Sequence, residues 1–120
     1  MTLKQAYIAV YEFLSLYYEE TKDDELIDLL SSMNPFLWAD GDSADPAIYR
    51  DWLDLAKKVT NDKQLDAKRA YQAMIGFLKF YKKEFDYVPE WLIKDLEDEV
   101  HNMSKWLECV DTVIEVNGID

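Results

Sequence analysis

Few side chains in this sequence are of types and spacings that could carry catalysis. His101 is the only histidine, so the chain cannot form a two-histidine metal site or a relay between two imidazoles. Asp98 and His101 lie three residues apart, as in half of a di-metal carboxylate site, but that site needs a matching Glu-x-x-His on another helix. The sequence has none. Cys109, the single cysteine, excludes an internal disulfide and agrees with a reducing compartment. We therefore expect no enzyme activity.

Three neighbouring aspartates invite a calcium-site interpretation. Asp40, Asp42 and Asp45 supply carboxylate oxygens, but an EF-hand loop also needs Gly at its sixth position and Glu at its twelfth. Counted from Asp40, those positions hold Asp45 and Asp51. The three glycines are scattered and form no phosphate-binding loop. The sequence therefore predicts neither a metal site nor a cofactor site.

The elements that would position any functional residue begin with an internal repeat. Residues 68–84 match residues 4–20 at eight of seventeen positions, with an offset of 64. The shared pattern A-Y-x-A-[VM]-x-x-F-L-x-x-Y spaces its apolar residues three and four apart, which is typical of an amphipathic α-helix. One such helix cannot bury its apolar stripe alone. We expect the two copies to form the middle of a helical bundle.

Capping signals and further apolar stripes complete the predicted bundle. Thr2 and Gln5 form a capping box that predicts a first helix from Leu3. A second helix ends near Ser32, a third runs from Pro46 to Val59, and Asp66 caps the fourth. The second helix is expected to bury Leu26, Ile27, Leu29 and Leu30. A long fifth helix is predicted from Val88-Pro89 to about Val113, with an inward seam of Leu92, Leu96, Val100, Met103, Leu107, Val110 and Ile114. The fold class is all-α: one domain, residues 1–120, of about five helices.

Charge is the strongest global signal. The formal net charge is −12. Residues 1–54 carry 3 basic and 12 acidic side chains, and residues 86–120 carry 2 basic and 10 acidic ones. Between them, residues 55–85 carry 8 basic and 3 acidic side chains. An acidic surface of this kind repels nucleic acid and anionic lipid, so we expect it to bind neither nucleic acid nor membrane. A basic protein partner is favoured. With no signal peptide or membrane span in the sequence, the expected location is the cytoplasm.

A pattern of core and cap residues resembles a known family, the small bacterial immunity proteins of contact-dependent growth inhibition. The pattern comprises Ala6-Tyr7, Phe13-Leu14, Tyr17, Leu29-Leu30-Ser31, Asp40-Gly41, Ala44-Asp45-Pro46-Ala47, Asp51-Trp52-Leu53, Ala70-Tyr71-Gln72-Ala73-Met74 and Phe77-Leu78. The resemblance implies a cytosolic antidote that blocks the active site of a neighbour's toxin domain, in many cases a nuclease. It transfers no specific binding residues.

The sequence therefore predicts an inhibitor that is monomeric when free and binds a cognate basic toxin domain through acidic residues. The candidate binding residues, chosen for charge and exposure, are Asp23, Asp24, Glu25, Trp38, Asp40, Asp42 and Asp98. Two alternatives stay open: a self-associating helical scaffold, in which an apolar bundle face forms a homodimer, and an acidic nucleic-acid mimic that regulates a host DNA-binding protein.

Overall fold

The structure, a computed structural model, describes residues 1–33, 46–59, 65–86 and 88–116 of the chain. Those residues form six α-helices: α1 Leu3–Thr21, α2 Asp24–Met33, α3 Pro46–Val59, α4 Ala67–Phe85, α5 Glu90–Leu96 and α6 Glu99–Val116. Buried side chains from all six helices join in one hydrophobic core. The predicted all-α bundle is confirmed.

The internal repeat extends to both ends of its two helices. Thr2 caps α1 through the predicted capping box with Gln5, and Asp66 caps α4 by accepting a hydrogen bond from a backbone N–H three residues later. Both helices have 19 residues, and each ends before a residue in the left-handed conformation, Lys22 (φ 53°) or Asp86 (φ 54°). Thr2 and Asp66, like Lys22 and Asp86, are 64 residues apart. The offset read from the sequence therefore also relates the caps.

Two buried tryptophans show that the repeat involves more than one helix. The indole N–H of Trp52, on α3, donates to the backbone oxygen of Leu3 at 2.9 Å, and that of Trp106, on α6, donates to Ala67 at 2.8 Å. Leu3 and Ala67 are the first residues of α1 and α4. Helix α3 is thus joined to the start of α1 in the same way that α6 is joined to the start of α4.

The rings around these tryptophans follow the same symmetry. Each tryptophan contacts a tyrosine from one repeat and a phenylalanine from the other: Trp52 lies 6.2 Å from Tyr7 and 5.8 Å from Phe77, and Trp106 lies 5.9 Å from Tyr71 and 5.4 Å from Phe13. All six rings are buried. The fold is therefore two related halves, α1–α3 (the first half) and α4–α6 (the second half), whose aromatic side chains interlock.

In each half of the molecule, one buried tyrosine of the first helix also holds the end of the second helix. Tyr7 donates its hydroxyl proton to the backbone oxygen of Met33, the last residue of α2, at 3.0 Å. Tyr71 donates to the backbone oxygen of Leu96, the last residue of α5, at 2.5 Å. A carbonyl at a helix end has no partner within its own helix, so these bonds satisfy buried groups that would otherwise destabilise the fold.

The single long fifth helix predicted from the sequence is wrong, because the chain breaks between Leu96 and Glu99. Asp98 caps α6 by accepting a hydrogen bond from the backbone N–H of His101 at 3.3 Å. The side-chain amide of Asn102 donates to the backbone oxygens of Asp95 (2.7 Å) and Asp98 (3.0 Å). Side chains thus stabilise a break that apolar periodicity does not reveal.

The break also rotates the buried face of α6 away from the predicted seam. Val100, Leu107 and Ile114 were expected to point inward, but their side chains are 91%, 41% and 42% exposed. Val110 of the predicted seam is buried, as are Asn102, Trp106, Cys109 and Val113, which the predicted seam did not include. On α2, Ile27 was also expected inside and is 39% exposed. Ile27 lies at the edge of the apolar stripe of α2, so the helix buries Leu26, Leu29 and Leu30 and leaves Ile27 partly outside.

Candidate functional site

A groove of about 210 Å³ lies between the end of α1, α5 and the first turns of α6. We call it the acidic groove. Its lining residues are Phe13, Leu16, Tyr17, Glu20, Thr21, Trp91, Asp95, His101, Asn102 and Lys105. The floor is aromatic and apolar, whereas the rim carries carboxylates, one imidazole and one ammonium group.

Tyr17 and Asn102 build the polar wall of the groove. The Tyr17 hydroxyl donates to the carboxylate of Asp95 and lies 2.7 Å from Oδ1 of Asn102. Asn102 is only 4% exposed. Burial, followed by the hydrogen bond to Asp95 and the negative charge of Asp95, raises the pKa of Tyr17 far above its ordinary value. Tyr17 therefore stays protonated, and its hydroxyl holds the Asp95 carboxylate in place by donating a hydrogen bond to it.

Trp91 forms the edge of the groove nearest to α2. Its indole N–H donates to Oδ2 of Asp23 at 2.8 Å, and its ring lies 6.2 Å from that of Tyr17. The other oxygen of Asp23 accepts a hydrogen bond from the backbone N–H of Glu25 at 2.9 Å, at the start of α2. Trp91 remains 37% exposed. Asp23 therefore holds an accessible indole in a fixed orientation.

Asp98 lies at the opposite end of the same wall. Its backbone oxygen accepts a hydrogen bond from Asn102, which lines the groove, and its side chain caps α6. Asp24 and Glu25 lie exposed in the first turn of α2, next to Asp23, where negative charge interacts favourably with the helix dipole. Among the described residues, no ion pair involves Asp24, Glu25 or Asp98. Of the predicted acids, Asp23 is thus connected to the groove through Trp91, and Asp98 through Asn102.

Trp38, Asp40 and Asp42, the remaining predicted binding residues, lie outside the described residues. The sequence analysis missed the residues that form the groove itself, chiefly Trp91 and Asp95. A usable signal was present for these two, because their spacing of four residues places both side chains on one face of α5. Their proximity to Tyr17, 78 residues from Asp95, depends on tertiary packing that periodicity cannot supply.

Two lysines partly balance the negative charge near the groove. Lys105 contacts Oε1 of Glu20 at 2.9 Å across α6 and α1, and this hydrogen bond raises the pKa of Lys105. Lys22 contacts Glu19 at 3.0 Å. These pairs are exposed, so each adds little to stability. The remaining acids of this region, Asp23, Asp24, Glu25, Asp95 and Asp98, leave it negative around the accessible indole of Trp91.

The part of the chain that the structure describes contains no cluster of metal ligands. Across residues 1–33, 46–59, 65–86 and 88–116, no group of three or more His, Cys, Asp or Glu side chains is placed to hold a metal ion. His101 is exposed at the rim. Burial, with smaller effects from Glu12 and Glu108, raises the pKa of the Cys109 thiol to about 11, so this thiol is protonated at neutral pH.

Comparison with known proteins adds no relative, because no family model, curated protein or solved structure matches the chain. In the part of the chain that the structure describes, no helix combines the length and apolar character needed to cross a bilayer. The chemistry of the acidic groove is therefore the main basis for a functional assignment. It offers an anchored indole among carboxylates on rigid helices, which suits recognition of a cationic protein surface.

Proposed function

We propose that this protein is an immunity-type inhibitor that acts in the cytoplasm and binds a basic toxin domain through the acidic groove. The observation that carries the proposal is the position of Trp91, held by Asp23 at the edge of a groove whose lining includes the carboxylates of Glu20 and Asp95. Carboxylates at the rim take the place of substrate phosphates in the toxin's active site. The protein inhibits by occupying that site and performs no reaction of its own.

Rigid presentation supports this proposal. The carboxylates of Asp24, Glu25, Asp95 and Asp98 lie on or next to helices whose ends are held by specific hydrogen bonds. Side chains already fixed in the free protein lose less entropy on binding, so more of the contact energy appears as affinity. An accessible tryptophan at the centre of such a patch is a typical anchor residue in protein interfaces.

Electrostatic steering also supports a basic partner. The net charge of −12 attracts a cationic domain over a distance of about 10 Å at moderate ionic strength. Complementary charge raises the association rate constant more than it slows dissociation. A toxin must be neutralised before it reaches its substrate, so rapid association would serve an inhibitor.

The test uses the toxin candidate encoded by the gene immediately upstream, as its purified C-terminal domain. Binding is measured by titration calorimetry and stopped-flow mixing for the wild type and for the triple variant Asp24→Asn, Glu25→Gln, Asp98→Asn. We expect the variant to associate at least about tenfold more slowly at low salt, with a smaller difference at high salt. Asparagine is a good N-cap, so the fold of α6 should be preserved.

A matched control removes three charges from the α3–α4 side of the molecule. The triple variant Asp54→Asn, Glu84→Gln, Asp86→Asn has the same amide composition, and all three positions are exposed. Its association rate should stay within about twofold of the wild type. Equal slowing by both variants would show that net charge alone matters and would contradict the groove assignment. If the upstream domain does not bind, while a DNA-binding protein of the host does, the nucleic-acid-mimic alternative would replace this proposal.

A further inference from the structure

The acidic groove already contains one cation of its own chain. Nζ of Lys105, on α6, lies 2.9 Å from Oε1 of Glu20, near the end of α1, and both residues line the groove. The hydrogen bond and the charge of Glu20, and to a smaller extent the charge of Asp95, raise the pKa of Lys105. The ammonium group therefore lies in the field of both carboxylates. Its position shows where in the groove positive charge is favourable.

The first half of the molecule has no cation at the equivalent position. The two equivalent tryptophans, on α3 and α6, are 54 residues apart, so Asp51 of α3 corresponds to Lys105 of α6. Asp51 accepts a hydrogen bond from the Tyr81 hydroxyl at 2.5 Å. In the second half Tyr17, the counterpart of Tyr81, donates to Asp95 of α5 instead. The groove thus departs from the internal symmetry by combining a positive charge with its carboxylates.

The size and walls of the groove fit one flat side chain. Its volume of about 210 Å³ is below the roughly 300–1,000 Å³ of pockets that enclose a whole small molecule. The rings of Tyr17 and Trp91 are tilted by 46° with centroids 6.2 Å apart, so they form an angled aromatic wall. Trp91 is 37% exposed, and Asp23 fixes its indole N–H. A planar cation stacks on such a ring while its N–H groups reach nearby carboxylates.

We propose that the acidic groove receives one arginine side chain of the basic partner, whose guanidinium group takes the place of the Lys105 ammonium. The residues that would bind it, Glu20, Asp95 and Trp91, are called the arginine subsite. This inference rests on the proposed function and specifies the group that the groove recognises. A guanidinium group suits the subsite better than an ammonium group, because it is planar and carries five N–H donors in a fixed fork. The Tyr17 hydroxyl already fixes the Asp95 carboxylate, so little entropy is lost when a cation binds there.

Lys105 is an internal competitor for the arginine subsite. Its side chain is 57% exposed and that of Glu20 is 58% exposed, so the ion pair between them is weak. The flexible stem of a lysine lets the ammonium group swing into solvent when a better cation arrives. Binding of an arginine must first break the contact between Lys105 and Glu20. Removing the Lys105 ammonium should therefore tighten binding of a guanidinium group.

Nuclear magnetic resonance titration of the full chain with butylguanidinium tests the subsite without a toxin. The indole N–H signal of Trp91, assigned by comparison with Trp91→Phe, should shift and saturate, whereas the signals of the buried Trp52 and Trp106 should not move. Lys105→Met should lower the dissociation constant about two- to fivefold, the contribution of one exposed ion pair. Asp95→Asn should raise it at least about fivefold, because a charge-assisted hydrogen bond is lost. Butylammonium should bind at least about threefold more weakly than butylguanidinium.

Lys58→Met is the matched control for Lys105→Met. It removes the same charge from an exposed position on α3, a helix that contributes no residue to the groove. Its dissociation constant for butylguanidinium should stay within about 1.5-fold of the wild type, because remote exposed charges are screened. Circular dichroism checks that each variant keeps wild-type helicity. Equal tightening by both lysine variants, equal affinity for the two probes, or no shift of the Trp91 signal would overturn the proposal.

The same variants distinguish this inference from the proposed function. With the purified upstream domain, Lys105→Met should bind about two- to fivefold more tightly than the wild type, and Lys58→Met should bind as the wild type does. If the domain binds but the two lysine variants change its affinity equally, the proposed function stands and the arginine subsite is wrong. If butylguanidinium binds as expected but the upstream domain does not bind, the groove keeps its preference for guanidinium and the proposed function is wrong.

Discussion

The two halves of the molecule share one scaffold, and one difference between them lies in the contacts of an equivalent pair of tyrosines, Tyr17 and Tyr81. In the second repeat, Tyr81 donates its hydroxyl proton to Oδ2 of Asp51 on α3 at 2.5 Å. In the first repeat, the equivalent Tyr17 contacts Asp95 on α5 and Asn102 on α6. The Tyr81 bond joins α4 to α3, whereas Tyr17 joins α1 to both α5 and α6 and forms part of a groove. The acidic groove therefore arises where the second half departs from the first.

Asn102 is the residue responsible for this departure. Its equivalent in the first half, 54 residues earlier, is Ile48, which is 2% exposed and belongs to the apolar core. Replacing an isoleucine by an asparagine in a core is unfavourable unless the amide is fully hydrogen-bonded. Here the amide bonds two backbone oxygens and one hydroxyl. The second half thus contains a buried polar network at the groove and at the break between α5 and α6.

The largest loss of stability is expected when either of the two equivalent tryptophans is replaced. Comparing the two losses tests whether the halves contribute equally to the free energy of unfolding. Trp52→Ala and Trp106→Ala each remove a fully buried indole and leave one backbone oxygen without its donor. We expect each variant to lose about 3–5 kcal/mol of unfolding free energy, with the two values similar. Urea denaturation followed by circular dichroism measures both. A loss below about 1 kcal/mol for either one would mean that the aromatic symmetry does not carry equal stability.

Asn102→Ile gives the second half the residue of the first half. The change removes the two hydrogen bonds that the amide donates to the Asp95 and Asp98 oxygens and one of the two partners of the Tyr17 hydroxyl. Both oxygens keep a backbone N–H donor and Tyr17 keeps Asp95, so we expect a loss of about 1 kcal/mol despite the added apolar volume. The reverse change, Ile48→Asn, buries an amide with no such network and should destabilise more. Urea denaturation of both variants gives the comparison. An unchanged or increased stability of Asn102→Ile would show that the network is dispensable.

Tyr71 provides a prediction at high pH. Burial raises the pKa of Tyr71 to about 12, above the ordinary value of 10.0. The folded chain therefore holds this proton more tightly than the unfolded chain does, so its contribution is complete below about pH 10 and is lost as the pH rises toward about 12. Tyr71→Phe should lower stability by about 1 kcal/mol at neutral pH, through the lost bond to Leu96.

The same variant should also lose stability less steeply above about pH 10, because it has no phenol to ionise at this position. Denaturation midpoints measured from neutral to alkaline pH give the slope for wild type and variant. Tyr17 also has a raised pKa and stays in both proteins, so part of the alkaline loss should remain. Parallel stability curves for the two proteins would rule out the role assigned to Tyr71.

The smallest effect concerns Glu12, whose counterpart in the second repeat is the uncharged Gly76. Partial burial raises the pKa of Glu12, so its charged form is disfavoured in the folded state. Stability therefore falls as the pH rises through the window between the ordinary carboxyl pKa and the raised one. Glu12→Gln should stabilise the protein at pH 7 by less than about 1 kcal/mol, with no gain at acidic pH where Glu12 is protonated. Thermal melting at both pH values measures this, and a gain of equal size at both would refute the electrostatic cause.

Local signals in the sequence predicted much of the scaffold. The capping box at Thr2, the cap at Asp66 and the proline at the start of α3 fixed helix boundaries because capping depends only on neighbouring residues. The repeat predicted the two central helices. Apolar periodicity failed at Val100 and Leu107, since the break before α6 depends on hydrogen bonds of the Asn102 amide and the Tyr71 hydroxyl, which apolar spacing does not encode.

The candidate site was less accessible to sequence reasoning than the fold. Asp23 and Asp98 were identified by charge, and the structure places both near one groove. Tyr17 was predicted to point into the core, because its spacing fits the apolar stripe of α1. Its partners, Asp95 and Asn102, lie 78 and 85 residues away. Only tertiary packing brings such residues together, and periodicity carries no information about which helices touch.

Hydrogen–deuterium exchange of the chain alone and in complex with the upstream toxin domain tests the central claim most directly. Binding should protect backbone amides at the end of α1, the start of α2 and residues 91–102, which surround the acidic groove. The equivalent region of the other half, the end of α4 and the start of α3, should exchange at the same rate in both samples. Protection confined to the α3–α4 side would contradict the assignment.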